Sequence, residues 1–386
     1  MPKLVFIVTE DWFFVSHFLP MLGAARQAGF DPVVVTRVRD HADSIRNNGA
    51  RVISFEADRR SLNPLALVKS VWRLARILRR ERPAIVHCIA LRSILVGGAA
   101  ATMSGVRARV FAVTGGGFLT ARTDRPGRCA ARTVTFVIRR MLAGSKAQFL
   151  FENRDDPVSF GLEPETNRVT IVGGAGVDPA FYSVPPGPVG KPLRVALVSR
   201  LLWSKGVDLL VEAVTQARLG GTEIELSLFG APDAANPRSI PLETLEEWST
   251  RDGIRWYGPT QDVRSVWMAH DVACLPSRGG EGLPRTLLEA ASCGRAIVTT
   301  CVPGCREFVR DGIDGIVVPP GDVPALRDAL IRLAGDEVLV LEMQRHARAR
   351  IEDGYTESAV SSKVEAMYRR MAITAGQALP HRPQSP

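Results

Sequence analysis

The chain has 386 residues, room for two domains of ordinary size, and its 46% hydrophobic and 23% charged residues are those of a globular protein rather than a disordered or fibrous one. No apolar run approaches the ~20 residues a membrane helix requires, and the six cysteines show no C-x2-C pair and no histidine beside Cys301 and Cys305, so they read as reduced thiols rather than a zinc site or a disulfide framework. The net charge of +9 admits anionic partners, but with 6% aromatic residues and no nucleic-acid module the excess favours a membrane surface over nucleic acid, with a simply solvated basic face as the alternative.

The first segment, M-P-K-L-V-F-I-V-T-E-D, has a lysine and an apolar run too short for a secretory leader, which meets Glu10 and Asp11 at once. It reads as a strand, Leu4–Val8, and the chain is expected to remain in the cytoplasm. A helix over Ser16–Ala28, closed by Gly29, and strands at Asp31–Thr36 and Val52–Phe55 follow. Pro64–Arg82 reads as a long amphipathic helix ending before Pro83. Then come a strand at Ala84–His87, a helix at Arg92–Met103 and a strand at Val110–Val113. This β-α alternation with Val/Ile-rich runs predicts a parallel, doubly wound sheet. Two stretches concentrate the basic charge: eight arginines against Asp124 between Arg107 and Arg140, and Arg73, Arg76, Arg79, Arg80 and Arg82 against Glu81.

V-P-P-G-P-V-G-K-P, from Val184, is the clearest linker. A second α/β pattern starts after it, with strands at Leu193–Ser199, Ile224–Phe229, Ile254–Tyr257, Val272–Leu275, Ala296–Thr300 and Ile316–Val318 and a helix at Val207–Gln216. The expected fold class is α/β, with two Rossmann-like doubly wound domains facing a central cleft at the carboxyl ends of their strands. The predicted bounds are residues 1–185, 186–356, a helix at 357–375 and a disordered tail at 376–386.

Two motifs in the second half carry chemistry. Ser277–Gly294, S-R-G-G-E-G-L-P-R-T-L-L-E-A-A-S-C-G, places Glu281 on a loop after a strand and Glu289 in the first turns of a helix. Pro284 suits the first helical position, and the amides around Gly282–Thr286 would form an anion-binding helix terminus. The carboxylates can accept hydroxyls while the amides hold a diphosphate, as a sugar nucleotide requires. An isolated pair at this spacing is more often a solvated helix face. Ser199-Arg-Leu-Leu-Trp-Ser-Lys-Gly sets Arg200 and Lys205 across a strand-to-helix turn, where two cations would stabilise a departing diphosphate without a metal. Read alone, an arginine and a lysine in such a loop are more often simply solvent-exposed.

The block G-G-E-G-L-P-R-T-L-L-E-A with C-G-R-A-I-V-T-T, followed by Val302-Pro-Gly-Cys-Arg-Glu and Asp311-Gly-Ile-Asp-Gly, resembles the donor-site signature of glycosyltransferase family 4, retaining enzymes with the GT-B fold. The resemblance extends over most of residues 3–370 and brings a metal-independent mechanism and no cofactor as expectations; the absence of a D-x-D triplet agrees with the same metal-free strategy. By resemblance, Arg200 and Lys205 are the paired cations, Glu281 binds donor-sugar hydroxyls, Glu289 binds ribose hydroxyls, and the Gly282 and Leu283 amides approach the phosphates. Gly230, Tyr257 and Gly258 would bracket the nucleobase, and the last helix would cross back to the first domain.

T-E-D-W-F-F-V-S-H-F-L-P-M looks like the first strand-loop-helix of the family's polysaccharide-assembly members, which makes Glu10, Asp11 and His17 acceptor-side candidates. His87 is another, and both histidines are as compatible with a structural role. Trp12, Phe13 and Phe14 would pack against a lipid or sugar, or belong to the core. Two departures stand out: Asp11-Trp-Phe-Phe replaces a glycine-rich first loop, and Thr114 and Gly115 in A-V-T-G-G-G-F occupy the place of a histidine. T-G-x-G is similar to lipid-linked oligosaccharide transferases. Gly115–Gly117 would leave room for an acceptor phosphate, and Phe118 and Leu119 would insert at a membrane surface.

Together these features predict a hexose or N-acetylhexosamine transfer from a nucleotide diphosphate, expected to be UDP, to a polyprenyl-diphosphate-linked saccharide of cell-surface polysaccharide assembly. The expected partners are donor, acceptor and the cytoplasmic face of the membrane, with no nucleic acid. A GT-B enzyme with a soluble acceptor and a non-catalytic nucleotide-sugar-binding subunit are the alternatives. A dinucleotide oxidoreductase is disfavoured, because no G-x-G-x-x-G follows the first strand.

Overall fold

The structure is a computed structural model and describes residues 1–56, 64–115, 125–185, 190–233 and 236–374. The expectations for Gly116, Gly117, Phe118 and Leu119, for the middle of the proline-rich segment and for the tail lie outside these residues. Two compact units form: the first from described residues of 1–115, 122–175 and 357 onward, the second from Gly176–Thr356.

The first unit holds seven parallel strands, β1 (Lys3–Glu10), β2 (Asp31–Arg37), β3 (Arg51–Ser54), β4 (Ile85–Ile89), β5 (Arg109–Val113), β6 (Ala147–Phe151) and β7 (Val169–Ile171). Their order is β3-β2-β1-β4-β5-β6-β7. A parallel sheet is covered on both faces, so its central strands are largely apolar rather than alternating, and all five residues of β4 and of β5 are buried, His87 and Arg109 included. On one face lie α1 (Asp11–Phe18) and α2 (Pro20–Gln27), whose Phe14, Phe18 and Leu22 enter the core. On the other lie α4 (Pro64–Glu81), α5 (Leu91–Met103), α6 (Arg125–Phe136) and a π-helical turn, Val137–Leu142, contributing Leu74, Leu78, Ile94, Ile138 and Leu142. A short α3 (Ala42–Asn47) precedes β3, and α7 (Asp155–Ser159) follows β6.

The second unit holds β8 (Leu193–Val198), β9 (Ile224–Phe229), β10 (Ile254–Gly258), β11 (Val272–Leu275), β12 (Ala296–Thr300) and β13 (Gly315–Val318), parallel and ordered β10-β9-β8-β11-β12-β13. Helices α8 (Val207–Leu219) and α13 (Val323–Gly335) close one face through Leu210, Val214, Leu326 and Leu330. The shorter α9 (Leu242–Trp248) adds Leu245 to the same core. The other face is closed by α10 (Val263–Ala269), α11 (Arg285–Ser292), α12 (Pro303–Phe308) and α14 (Glu337–Glu352), with Trp267, Leu288, Phe308 and Ile351 in its core. The strand order reverses between β8 and β11, the place where doubly wound sheets open a crevice at the carboxyl ends of their strands.

Helix α15 (Glu357–Thr374) belongs to the first unit. It packs on α2 and places Val360, Val364, Met367 and Tyr368 in that unit's core.

Several local expectations are corrected. The helix expected over Ser16–Ala28 is two helices, because Pro20 lacks the N–H that would continue the first. No loop separates β1 from α1, since β1 runs to Glu10 and the helix starts at Asp11. Pro284 caps α11 from outside rather than opening it. Its ψ of 120° is extended, and its carbonyl accepts the Leu287 amide at 3.0 Å, the first helical bond. The elements α6, β6 and β7 were not anticipated. The A-Q-F-L-F of β6 is five residues of buried apolar strand inside a basic stretch.

Candidate functional site

The site is assembled at the carboxyl ends of β8 and β11. Lys205 ends a 3-10 turn after β8, and Glu281 lies on the loop after β11. The ammonium of Lys205 reaches both carboxylate oxygens of Glu281, at 2.7 and 2.8 Å, and the Ser277 hydroxyl donates to the same carboxylate at 2.7 Å. Both charged side chains are largely buried, 17% and 10% exposed, so water screens the pair only weakly. Immediately after Lys205 comes the N-terminus of α8, which favours negative charge.

Backbone contact between loops sets this geometry. Gly206 has φ +70°, and a Cβ there would lie 2.0 Å from the Pro276 carbonyl oxygen, so only glycine allows the two loops to touch. Arg278 ties them again: its amide donates to the Ser204 carbonyl at 2.8 Å, and its guanidinium grips Asp208 at 2.7 and 2.6 Å. Beneath the loop, Thr300 Oγ1 donates to the Ser277 carbonyl. Gly304 in α12 lies under the Gly282 carbonyl, and Leu283 is buried.

Glu289 sits on α11 in a separate, buried network. Its Oε1 accepts from the Tyr182 hydroxyl at 3.0 Å and from Arg285 Nε at 2.8 Å. Burial raises its carboxyl above the ordinary range, while Arg285 and the Tyr182 hydroxyl pull against that shift. Tyr182 is itself raised by burial and by the nearby Glu289 charge. The arrangement presents a carboxylate fixed at one oxygen, a form suited to accepting hydroxyl donors at the other.

The remaining donor-side residues are placed as follows. Arg200 is half exposed and faces Asp233 at 3.5 Å rather than joining Lys205 and Glu281. The Gly230 amide donates to the Gly258 carbonyl at 2.8 Å, and the Gly230 carbonyl accepts from Trp256 Nε1 at 2.9 Å, which links the loops after β9 and β10. Tyr257 is exposed and lies parallel to Phe229, centroids 5.1 Å apart. Among the described residues no group of three or more potential metal-ligating side chains gathers.

On the first unit, two acceptor-side candidates are corrected. Asp11 is fully buried and works as a backbone organiser: its carboxylate accepts from the amides of Trp12 at 2.7 Å, Arg39 at 2.6 Å and His41 at 3.1 Å. His87 is fully buried in the sheet, with Nδ1 2.7 Å from the Tyr368 hydroxyl and Nε2 lacking a partner among the described residues. Neither is available to an acceptor. Glu10 is buried beside Arg37 at 3.6 Å, and His17 Nδ1 lies 2.6 Å from the Ser16 hydroxyl with its ring against Phe13. Thr114 and Gly115 follow β5, Gly115 with φ +84°. Of the three aromatics, Phe14 is core and Trp12 is at the surface.

Burial holds the His87 pKa down at about 3, from 6.5. The unfolded chain binds a proton near 6.5 and the native chain does not, so stability is full above 6.5 and is lost as pH falls toward 3. Chemical denaturation should show the wild type losing roughly 1 kcal/mol between pH 7 and pH 5.5 from this residue. His87→Gln should remove that increment; an unchanged slope would mean that the imidazole is hydrated in solution.

Sequence reading missed Tyr182, Ser277 and Arg278 as site builders, and Arg285 as the partner of Glu289. Arg285 could have been found, being four residues from Glu289 on one helix face. Tyr182 is 107 residues from Glu289 and carries no local signal.

Comparison with known proteins supplies the context. Residues 3–153 match the family described as Glycosyl transferase 4-like, and residues 192–336 match Glycosyl transferases group 1. A Campylobacter jejuni protein, N,N'-diacetylbacillosaminyl-diphospho-undecaprenol alpha-1,3-N-acetylgalactosaminyltransferase, is 26% identical over 375 residues, covering 92% of this chain and 96% of its own. An Escherichia coli UDP-Gal:alpha-D-GlcNAc-diphosphoundecaprenol alpha-1,3-galactosyltransferase is 22% identical, with 81% and 82% covered. The solved structure of Anabaena HepE in complex with UDP and glucose superposes with a TM-score of 0.74 at 16% identity, covering 94% of this chain and 98% of that one, and so shares the fold.

Proposed function

The chain belongs to the group 1 and 4-like glycosyltransferases, a transferase of GT-B fold, and on that premise we propose that it moves a hexose or N-acetylhexosamine from a UDP-sugar to a saccharide carried on a polyprenyl diphosphate, with retention and without a metal. The observation that carries this reading is the Lys205–Glu281 pair at the β8–β11 crevice, with the N-terminus of α8 behind it. Lys205 and the helix terminus take the donor diphosphate, and Arg200 turns from Asp233 to assist. Glu281 accepts hydroxyls of the donor sugar, and the free oxygen edge of Glu289 accepts those of the ribose. The bond from C1 to the diphosphate oxygen breaks, and a bond from C1 to the acceptor hydroxyl oxygen forms on the same face. The acceptor proton passes to the leaving diphosphate.

The two relatives described above are both named for diphospho-undecaprenol-linked acceptors, and the Escherichia coli one for a UDP donor, which supports the same classes here. A polyprenyl acceptor would hold the enzyme at the cytoplasmic membrane face. Among the described residues no helix is long and apolar enough to cross a membrane, so attachment would be peripheral.

Thermal melts with a panel of nucleotide diphosphates and their sugars, in EDTA, test the donor assignment. UDP and one UDP-sugar should raise the melting temperature of the wild type. Glu289→Gln should weaken donor binding about 10–100-fold, the worth of hydrogen bonds to a charged group. Absence of a shift with every nucleotide, or a shift that disappears with EDTA, would overturn the reading.

A further inference from the structure

We propose that the outer face of α4 is the surface by which the first unit lies on an anionic lipid bilayer; the proposal rests on the lipid-linked acceptor reading above and assigns the contact to specific residues. Leu65, Val68 and Trp72 are 78%, 56% and 50% exposed. Spacings of three and four residues stack them along one stripe of the helix. Lys69, Arg73, Arg76, Arg79 and Arg80 are exposed too. At 3.6 residues per turn, all eight side chains fall within an arc of about 140°.

The opposite face is the one that folds the protein. Leu74, Ala75 and Leu78 are buried in the sheet-side core. The helix has a single acid, Glu81, and it is turned inward, paired with Lys3 at 2.9 Å and with Arg51. The outer face therefore carries three apolar and five cationic side chains and no anion. Arg79 donates to the Met103 carbonyl at 2.8 Å and Arg73 lies over the Phe55 ring, while Lys69, Arg76 and Arg80 have no ion-pair partner among the described residues.

A helix face meant only for water interleaves acids with bases. Nucleic acid would use the cations but gains little from a ridge of leucine, valine and tryptophan along one edge of the face. Anionic lipid uses both: the apolar ridge enters the headgroup–acyl boundary with Trp72 at the interface, and the flanking cations meet the phosphates. Charge complementarity thus selects a bilayer as the occupant.

The test is sedimentation of the full chain with phosphatidylcholine vesicles prepared with and without phosphatidylglycerol. Wild type should bind only the anionic vesicles, less tightly as salt rises, with a blue shift of tryptophan emission that Trp72→Phe removes. Leu65→Ser with Trp72→Ser, and separately Arg76→Glu with Arg80→Glu, should each lower vesicle binding about tenfold or more. All these positions are exposed, and the UDP-sugar melting shift measured without lipid should be unchanged. Unaltered vesicle binding in both variants overturns the inference even where the donor shift persists. If vesicle binding is lost as expected but no nucleotide is bound by any form, the docking face stands and the transferase reading falls.

Discussion

Lys205→Ala is expected to lower the rate of sugar transfer by about 10²–10³-fold, the usual effect of removing one preorganised group that stabilises developing charge. Lys205 is the cation best placed for this work. It is 17% exposed, it closes the 3-10 turn that follows β8, and the N-terminus of α8 lies beside it. The ammonium is held by Glu281, so on the proposed function a donor diphosphate would compete for it with the carboxylate that would accept the sugar hydroxyls. Lys205 and Glu281 thus act as a coupled pair, and losing either should depress kcat more than it raises KM for the donor. The alanine variant also leaves Glu281 with only the Ser277 hydroxyl, a largely buried charge without its counterion, which should cost up to about 3 kcal/mol of stability. Lys205→Arg separates the effects by restoring charge and stability while changing donor geometry. Steady-state kinetics with melting curves decide the matter: an alanine variant within about threefold of wild-type kcat would remove Lys205 from the chemistry.

The second large effect is expected at a residue that carries no side chain. Gly304→Ala should destabilise the second unit by about 3 kcal/mol, at the upper end of overpacking costs. A Cβ at Gly304 would sit 1.4 Å from the Gly282 carbonyl oxygen, 2.4 Å from its carbonyl carbon and 3.1 Å from the Leu283 Cα. Every one of these atoms is backbone, so no side chain can rotate out of the way. Either α12 shifts or the turn between Glu281 and Pro284 is lifted, and the second outcome displaces both the Glu281 carboxylate and the start of α11. Scanning calorimetry should show a fall of about 6–12 °C for a unit of this size, and donor binding should fall with it. Gly335→Ala, where an added Cβ meets nothing within 4 Å, serves as the neutral comparison. Equal melting temperatures for the two variants would show that the loop and α12 are not in contact in solution.

What the sequence disclosed follows from where the information lies along the chain. Strands such as β2 and β4 are predominantly apolar because both faces are covered, and their parallel order follows from the helices between them. Glu281 and Glu289 were legible because loop, turn and helix lie in one short block. Lys205 was legible from the strand-to-helix turn that precedes α8. The partners of these residues were not: Tyr182 meets Glu289 across 107 positions and Arg278 meets Asp208 across 70, and only tertiary folding creates those pairs. Asp11 and His87 were misread for the opposite reason. Residue type announces chemistry, but burial decides whether that chemistry is available, and both side chains are enclosed. The break at Pro20 was present in the sequence, yet the apolar residues on both sides suggested one continuous helix.

The return of α15 to the first unit bears on the order in which the protein can mature on the ribosome. Val360, Val364, Met367, Tyr368 and Met371 are 0–4% exposed there, and the Tyr368 hydroxyl meets His87. None of this seam exists when Ala175 emerges. All of Gly176–Thr356 must be synthesised first, a delay of about 10–40 s at ~5–20 residues per second. For that interval the apolar residues of α2 that α15 covers lack their partner, while the second unit, contiguous in sequence over Gly176–Thr356, has all of its residues. The first unit, although it begins the chain, is therefore the last to receive all of its core.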